Sequence, residues 1–311
     1  MSQPVVDSPP GWVPVFLGCS MTAPSPTPDE VPEPLRMQCM EVWGGNEPAT
    51  RAVELTGLQA WVYSLPYPDS RKGGDVYYLS SCASGRISRM LIADVAGHGD
   101  LVDNTARGLR DLMRRNINFI SQRRLFGALN QQFGQLRSAG RFATAIVSTF
   151  FAPRSSLVIS TAGHPLPLVY RQSTQKWEPL SSTVDISRLK APLQNIPLGI
   201  LDNALYGQVT IKLPPGDLML LFSDGLLEYP VSPTEYLGSD GLLAALQSLP
   251  LEPRETLIQR MLQMVTRDSE PRHRRDDLTI LLLSPTGRGI PMRNNLLAPW
   301  RLIQSWWRRD S

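Results

Sequence analysis

A chain of 311 residues with 42% hydrophobic side chains has room for one large domain, or two ordinary ones, around a sizeable core. Its net charge of +3 is too small to imply nucleic-acid binding by itself. Three widely spaced cysteines, Cys19, Cys39 and Cys82, form neither a disulfide framework nor a zinc site, and read as reduced thiols in a cytoplasmic protein.

Residues 1–36 are proline-rich, lack periodicity and read as a disordered or extended leader. Within them Val15-Phe16-Leu17-Gly18-Cys19 is faintly like a lipoprotein cleavage site. No Lys or Arg precedes it, however, and its apolar run is too short for a signal peptide. No apolar run approaches the ~20 residues of a membrane span. The main domain is expected over 37–285 and a basic tail over 286–311. In order, strands are expected at Leu58–Leu65, Asp75–Ser81 and Ile87–Asp94, the last two joined as a hairpin at Ser84-Gly85. A helix follows, with Asp100 or Asp103 as its cap and Ala106, Leu109, Leu112 and Met113 on one face. A second helix starts at Ser121 and carries Leu125, Leu129 and Phe133. Strands at 142–151 and 157–162 flank a Pro153-Arg154-Ser155 turn, and Gly163-His164-Pro165 leads into Leu166–Tyr170. Residues 171–196 read as a polar surface excursion. Strands then fall at 205–213, 218–222 and 278–284, with two helical patterns over 239–266. Short turns between successive strands imply antiparallel pairing. Two antiparallel sheets face to face, with helix pairs outside, bury every apolar face so defined: an α+β sandwich.

Four acidic motifs stand out against this frame. They are Gly73-Gly74-Asp75, Asp94-Val95-Ala96-Gly97-His98-Gly99, Ser223-Asp224-Gly225 and Asp276-Asp277-Leu278-Thr279. Asp94 and Asp224 end apolar strands, and Asp276 precedes one. Any single Asp-Gly is a common turn. Several at buried strand ends can converge, and converging carboxylates repel unless hard, oxygen-seeking cations neutralise them. Two Mg²⁺ or Mn²⁺ ions bridged by a carboxylate and water would turn that water into a nucleophile for phosphorus. No phosphate-binding Gly-Lys loop, Gly-x-Ser-x-Gly elbow or His-Glu-x-x-His occurs. His98 is a candidate general acid for a leaving serine oxygen, the alternative being a hydrogen bond that shapes its loop. For His164 a structural hydrogen bond is expected. Arg272, Arg274 and Arg275 are read either as phosphate-steering groups or as a solvated loop.

These motifs, with Ala162-Gly163-His164-Pro165, Ile196-Pro197-Leu198-Gly199 and Pro215-Gly216-Asp217, occur in an order that resembles the metal-dependent (PPM-type) serine/threonine phosphatases. The resemblance is to the bacterial SpoIIE-like or RsbU-like branch and covers roughly 58–284. It implies a four-layer α-β-β-α sandwich of two mainly antiparallel sheets flanked by helix pairs, holding two divalent cations, Mn²⁺ or Mg²⁺. On the resemblance, Asp94 bridges both ions and the Val95 carbonyl binds one. Asp224 and Asp276 hold the other, and Asp75 acts on the first directly or through water. The implied activity is hydrolysis of phosphoserine or phosphothreonine on a protein by metal-bound hydroxide. The implied partner is often an anti-sigma-factor antagonist. Tyr78-Leu79 stand where the family usually has a second aspartate. That departure motivates the alternative of a non-catalytic pseudophosphatase binding module. In the tail, Pro299 opens a short helix with Leu296, Trp300, Ile303 and Trp307 on one face and Arg301 and Arg308 opposite. Such a helix suits an anionic membrane surface, but docking on the domain or a partner is the leading expectation. The first option makes the chain a peripheral membrane protein or a membrane-recruited scaffold.

Overall fold

The computed structural model describes residues 34–37, 42–68, 70–82, 85–97, 100–117, 119, 121–136, 141–183, 195–232, 234–266 and 274–288. The strands are β1 (Leu35–Arg36), β2 (Val42–Gly45), β3 (Ala49–Leu55), β4 (Leu58–Leu65), β5 (Asp75–Cys82), β6 (Ile87–Val95), β7 (Ala143–Phe151), β8 (Ser156–Ala162), β9 (Leu168–Arg171), β10 (Lys176–Pro179), β11 (Val209–Lys212), β12 (Leu218–Phe222) and β13 (Leu278–Pro285). The helices are α1 (Asp100–Asn116), α2 (Gln122–Leu136), the short α3 (Leu180–Thr183), α4 (Gly238–Ser248) and α5 (Leu257–Val265). Among these described residues, no helix is long and apolar enough to cross a membrane.

One sheet runs β1-β3-β4-β13-β12-β9-β10 and the other β11-β8-β7-β6-β5-β2. All pairings are antiparallel except β1 with β3. Alternation along the strands builds three cores. Val62, Met90, Ile92, Ile146, Leu281 and Leu283 fill the space between the sheets. Leu91, Ala93 and Val147 meet Leu109, Met113, Leu129 and Phe133 of α1 and α2. Leu220, Leu278, Ile280 and Leu282 meet Leu242, Leu246, Leu257 and Met261 of α4 and α5. The four-layer α-β-β-α sandwich is therefore the architecture. Central strands read as unbroken apolar runs because both faces are covered: all eight residues of β13 are buried. Fully burying one such leucine contributes about 1.5–3 kcal/mol before its conformational entropy is charged against it.

Local signals behave as their chemistry requires. The Ser121 hydroxyl accepts the Arg124 N–H at 3.4 Å, a cap on α2. Asp103 lies inside α1, where it pairs with Arg107 at 2.9 Å and accepts Asn46 Nδ2 at 2.9 Å. The 171–196 segment is less of an excursion than its polarity suggests. It contains edge strand β10 and α3, with Trp177 buried against Tyr170 at 5.7 Å.

Candidate metal centre

β5 and β6 place Asp75 directly opposite Asp94. Like charges facing across an antiparallel pair are destabilising, so this register is unexplained by sheet stability alone. Both side chains share the parity of Tyr77, Leu79, Met90 and Ile92, which fill the inter-sheet core. They therefore point into the end of the crevice between the sheets. The other sheet supplies Asp224, in the tight turn after β12, and Asp276, just before β13. β12 and β13 are hydrogen-bonded neighbours, with Phe222 opposite Ile280.

Asp94 is the member of this group that feels charges from both sheets' acidic residues most directly. Burial, then Asp224, Asp276, Asp277 and Glu228, push Asp94 up to about 8. Burial, then the facing Asp94 and Asp277, raise Asp75 well above the usual carboxylate range, against hydrogen bonds from Ser223 and Thr279. Burial chiefly lifts Asp276 to about 6, with Asp224, Asp277 and Glu228 adding to it and the Asp277 N–H opposing. Asp224 is raised by burial, although its own N–H and that of Gly225 oppose the shift. Among the described residues, no three acidic, histidine or cysteine side chains close around a single point. The carboxylates form one electrostatic neighbourhood with an all-oxygen donor set. That chemistry fits hard divalent cations and not soft ones. Val95 sends its side chain to the helix-side core and its N–H to the Gly74 carbonyl at 3.2 Å. His98 lies outside the described residues, as do Arg272 and His273.

Several residues that hold this arrangement carry no catalytic signature in the sequence. Asp277 is buried, and its carboxylate accepts the N–H groups of Tyr67 at 2.5 Å, Gly74 at 2.6 Å and Asp75 at 3.3 Å. It is an internal anchor that draws the β5 loop onto β13. This explains Gly73: a Cβ there would lie 2.4 Å from Asp277 Oδ1. Gly225 is equally tight, since a Cβ would lie 1.9 Å from the Asp277 carbonyl oxygen. Asn46 exchanges hydrogen bonds with Gly73, Nδ2 donating to its carbonyl at 3.0 Å and Gly73 N–H donating back at 3.0 Å. Ser223 Oγ donates to Asp75 Oδ2 at 2.6 Å and accepts the Thr279 N–H at 2.9 Å, which ties the two sheets together at the crevice. Glu228, exposed, adds a further negative charge to the neighbourhood. Its signal is the spacing Asp224-Gly225-Leu226-Leu227-Glu228, one turn on from Asp224.

The basic and histidine candidates separate clearly. Arg274 is buried, and its guanidinium donates to the carbonyls of Leu65, Pro66 and Asp276. It closes the β4 end and does not face solvent to steer phosphate. Arg275 is exposed and lies against Tyr236, donating to its hydroxyl at 2.8 Å. His164 is buried, and burial pulls its pKa down to about 3, leaving it neutral. Its Nδ1 shares a hydrogen bond of 2.9 Å with the Thr144 hydroxyl. Nε2 is buried without a hydrogen-bond partner among the described residues, and the Phe222 backbone opposes the fall in pKa. The neighbouring Gly163 N–H binds Asn195 Oδ1 at 2.7 Å, so this motif fixes the loop that carries Ile196-Pro197-Leu198-Gly199.

Two antiparallel sheets between helix pairs, with aspartates from both sheets at one end of the crevice, define the PPM class of protein phosphatase. The family model for Stage II sporulation protein E (SpoIIE) matches residues 84–286, and the chain belongs to that family. Solved structures of the same fold include the RsbU and RsbW domains of a Mycobacterium tuberculosis protein. That structure is 22% identical with a TM-score of 0.61, over 78% of this chain and 63% of that one. The phosphatase domain and regulatory fragment of SpoIIE from Bacillus subtilis is 16% identical with a TM-score of 0.58, over 80% and 64%. RsbX in complex with magnesium is 16% identical with a TM-score of 0.53, over 76% and 99%. The chain thus spans less than two thirds of the first two structures. No curated protein sequence matches it.

Proposed function

We propose that the chain is a metal-dependent phosphoprotein phosphatase that hydrolyses phosphoserine or phosphothreonine by direct attack of water on phosphorus, without a covalent phosphoenzyme. The observation that supports this is that Asp94 faces Asp75 across the β5–β6 pair while Asp224 and Asp276 of the other sheet raise its pKa. Asp94 and the Val95 carbonyl, with Asp224 and Asp276, would hold two cations, Mn²⁺ or Mg²⁺, and Asp75 would act on the first directly or through water. When bound, such ions neutralise phosphate charge and lower the pKa of a coordinated water. His98 is proposed as the acid that protonates the departing serine oxygen. The proposed substrate is a phosphoprotein of a bacterial partner-switching system, such as an anti-sigma-factor antagonist. The proposed location is the cytoplasm, with the basic, Trp-rich tail allowing peripheral membrane contact.

The test is release of phosphate from a phosphoserine protein or an aryl phosphate in Mn²⁺ and in Mg²⁺. Activity should need metal and should drop at least about a hundred-fold in Asp94→Asn, a loss typical of removing a charge-stabilising group. Equal activity of wild type and Asp94→Asn in both metals defeats the proposal. Calorimetric titration with Mn²⁺ separates the enzyme from a pseudophosphatase, which would bind no ion at this centre. Tyr78 is buried in the helix-side core, whereas Leu79 shares the inter-sheet face with Asp75, so the carboxylate missing from that face is the feature this titration tests.

A further inference from the structure

The turn between α1 and α2 concentrates positive charge in a way that helix chemistry does not explain. Arg114 and Arg115 occupy the last turn of α1, where cations complement the helix dipole. Arg123 and Arg124 occupy the first turn of α2, which contains no acid; there the dipole disfavours cations. All four side chains are exposed. None takes part in the ion pairs found among the described residues. Phe119 stands between the pairs, 37% exposed. The turn beneath is fastened from inside: buried Arg89 of β6 donates to the carbonyls of Ile117 and Phe119. Four arginines and an aromatic ring are thus presented on a fixed platform, at the expense of local helix stability. Departures of this kind from local preference are expected where a surface has a task.

The position of the platform narrows the task. Arg89 sits five residues before Asp94 on β6, so the platform lies about 17 Å or more from the acidic crevice. The last described residues, Thr286 and Arg288, lie at the same remote end. Ala152 N–H binds the Arg86 carbonyl at 3.0 Å, and Thr286 N–H binds the Gly57 carbonyl at 3.1 Å. A Cβ at Gly57 would touch both Ala152 and the Arg288 carbonyl. Beyond Arg288 the sequence holds Arg293, Arg301, Arg308 and Arg309 with Trp300, Trp306 and Trp307.

We infer that this end of the sandwich is a docking face for an anionic lipid bilayer, with the α1–α2 platform as its rigid part. The inference deepens the peripheral-membrane proposal for the tail and rests on it in part. Arginines around an exposed aromatic ring suit headgroup phosphates and the interfacial layer, and a Trp-rich tail from the same end adds to that fit. A duplex nucleic acid would use the arginines and leave Phe119 and the tryptophans without a role. Docking this way turns the acidic crevice away from the membrane, toward soluble substrates.

The experiment is co-sedimentation of the full chain with phosphatidylcholine vesicles and with an equimolar phosphatidylcholine–phosphatidylserine mixture. Wild type should partition to the anionic vesicles only, and the partition should collapse in high salt. Arg114→Gln/Arg115→Gln/Arg123→Gln/Arg124→Gln should reduce it about a hundred-fold or more, at roughly five-fold per arginine. Hydrolysis of an aryl phosphate by that variant should stay at the wild-type rate, which also reports its folding. A Trp300→Ser/Trp307→Ser variant tests the tail separately. Loss only in the tail variant overturns the platform and leaves the tail proposal standing. Loss only in the arginine variant does the reverse. Salt-insensitive partition, no partition of wild type, or tighter binding to a short nucleic-acid duplex than to the vesicles overturns the inference.

Discussion

Replacing Asp277 by asparagine should cost less stability than replacing it by alanine, and the difference follows from its donors. One carboxylate oxygen accepts Tyr67 N–H, and the other accepts Gly74 N–H and Asp75 N–H. An amide can turn its oxygen toward the glycine loop and keep two of the three. The Tyr67 N–H then faces an NH₂ group, and one orphaned donor costs about 1–3 kcal/mol. Alanine orphans all three, for about 3–6 kcal/mol once some entry of water is allowed. Both variants remove the same charge, so both relieve Asp75 and Asp94 of the same repulsion. The difference between them isolates the hydrogen bonds. The assay is urea unfolding in EDTA, which keeps metal affinity out of the comparison. Against a typical total of about 5–15 kcal/mol, Asp277→Ala should remove a large fraction of the stability and shift the urea midpoint markedly. Equal midpoints for the two variants, or both within about 0.5 kcal/mol of wild type, would refute the anchoring role.

Metal-free protein should lose stability as pH rises from about 4 to about 8. Asp94 at about 8, Asp276 at about 6, and the raised Asp75 and Asp224 all bind protons in the folded state that the unfolded chain has already released. Their stabilisation is complete below the unfolded carboxylate range and disappears through the folded values. Urea midpoints in EDTA should be higher at pH 5.5 than at pH 8.5, while saturating Mn²⁺, which needs ionised ligands, should reverse the order. A flat or rising metal-free profile contradicts the repelling cluster. Gly225→Ala should destabilise by about 2 kcal/mol or more and weaken Mn²⁺ binding, since its Cβ would displace the Asp277 backbone. A wild-type melting temperature with unchanged calorimetric affinity would show that the turn has slack.

Central elements were legible because burial on two faces leaves a signature in composition. Leu58–Leu65, Leu218–Phe222 and the β13 run appear in the structure nearly as their apolar patterns suggest. The edge strand β11 was expected within 205–213, but the edge strands β2 and β10 were not legible. β2 is Val42-Trp43-Gly44-Gly45, and β10 pairs through one neighbour only, so neither needs a sustained apolar pattern. In the acidic centre, aspartates beside glycine mark themselves, whereas their supports do not. Asn46, Ser223 and Thr279 are ordinary polar residues whose importance comes from partners 27, 148 and 56 positions away in sequence. Asp277 looked like the twin of Asp276. Only the fold shows that one faces the crevice group and the other is consumed by backbone amides.

β13 enters the sheet between β4 and β12, pairing with a strand made more than two hundred residues earlier. During synthesis, every preceding segment must leave the ribosome while the slot for this strand stays open. Until it arrives, β4 and β12 expose unpaired edges, and the crevice lacks Asp276 and its anchor together. A nascent chain should therefore be both inactive and prone to chaperone capture until β13 emerges.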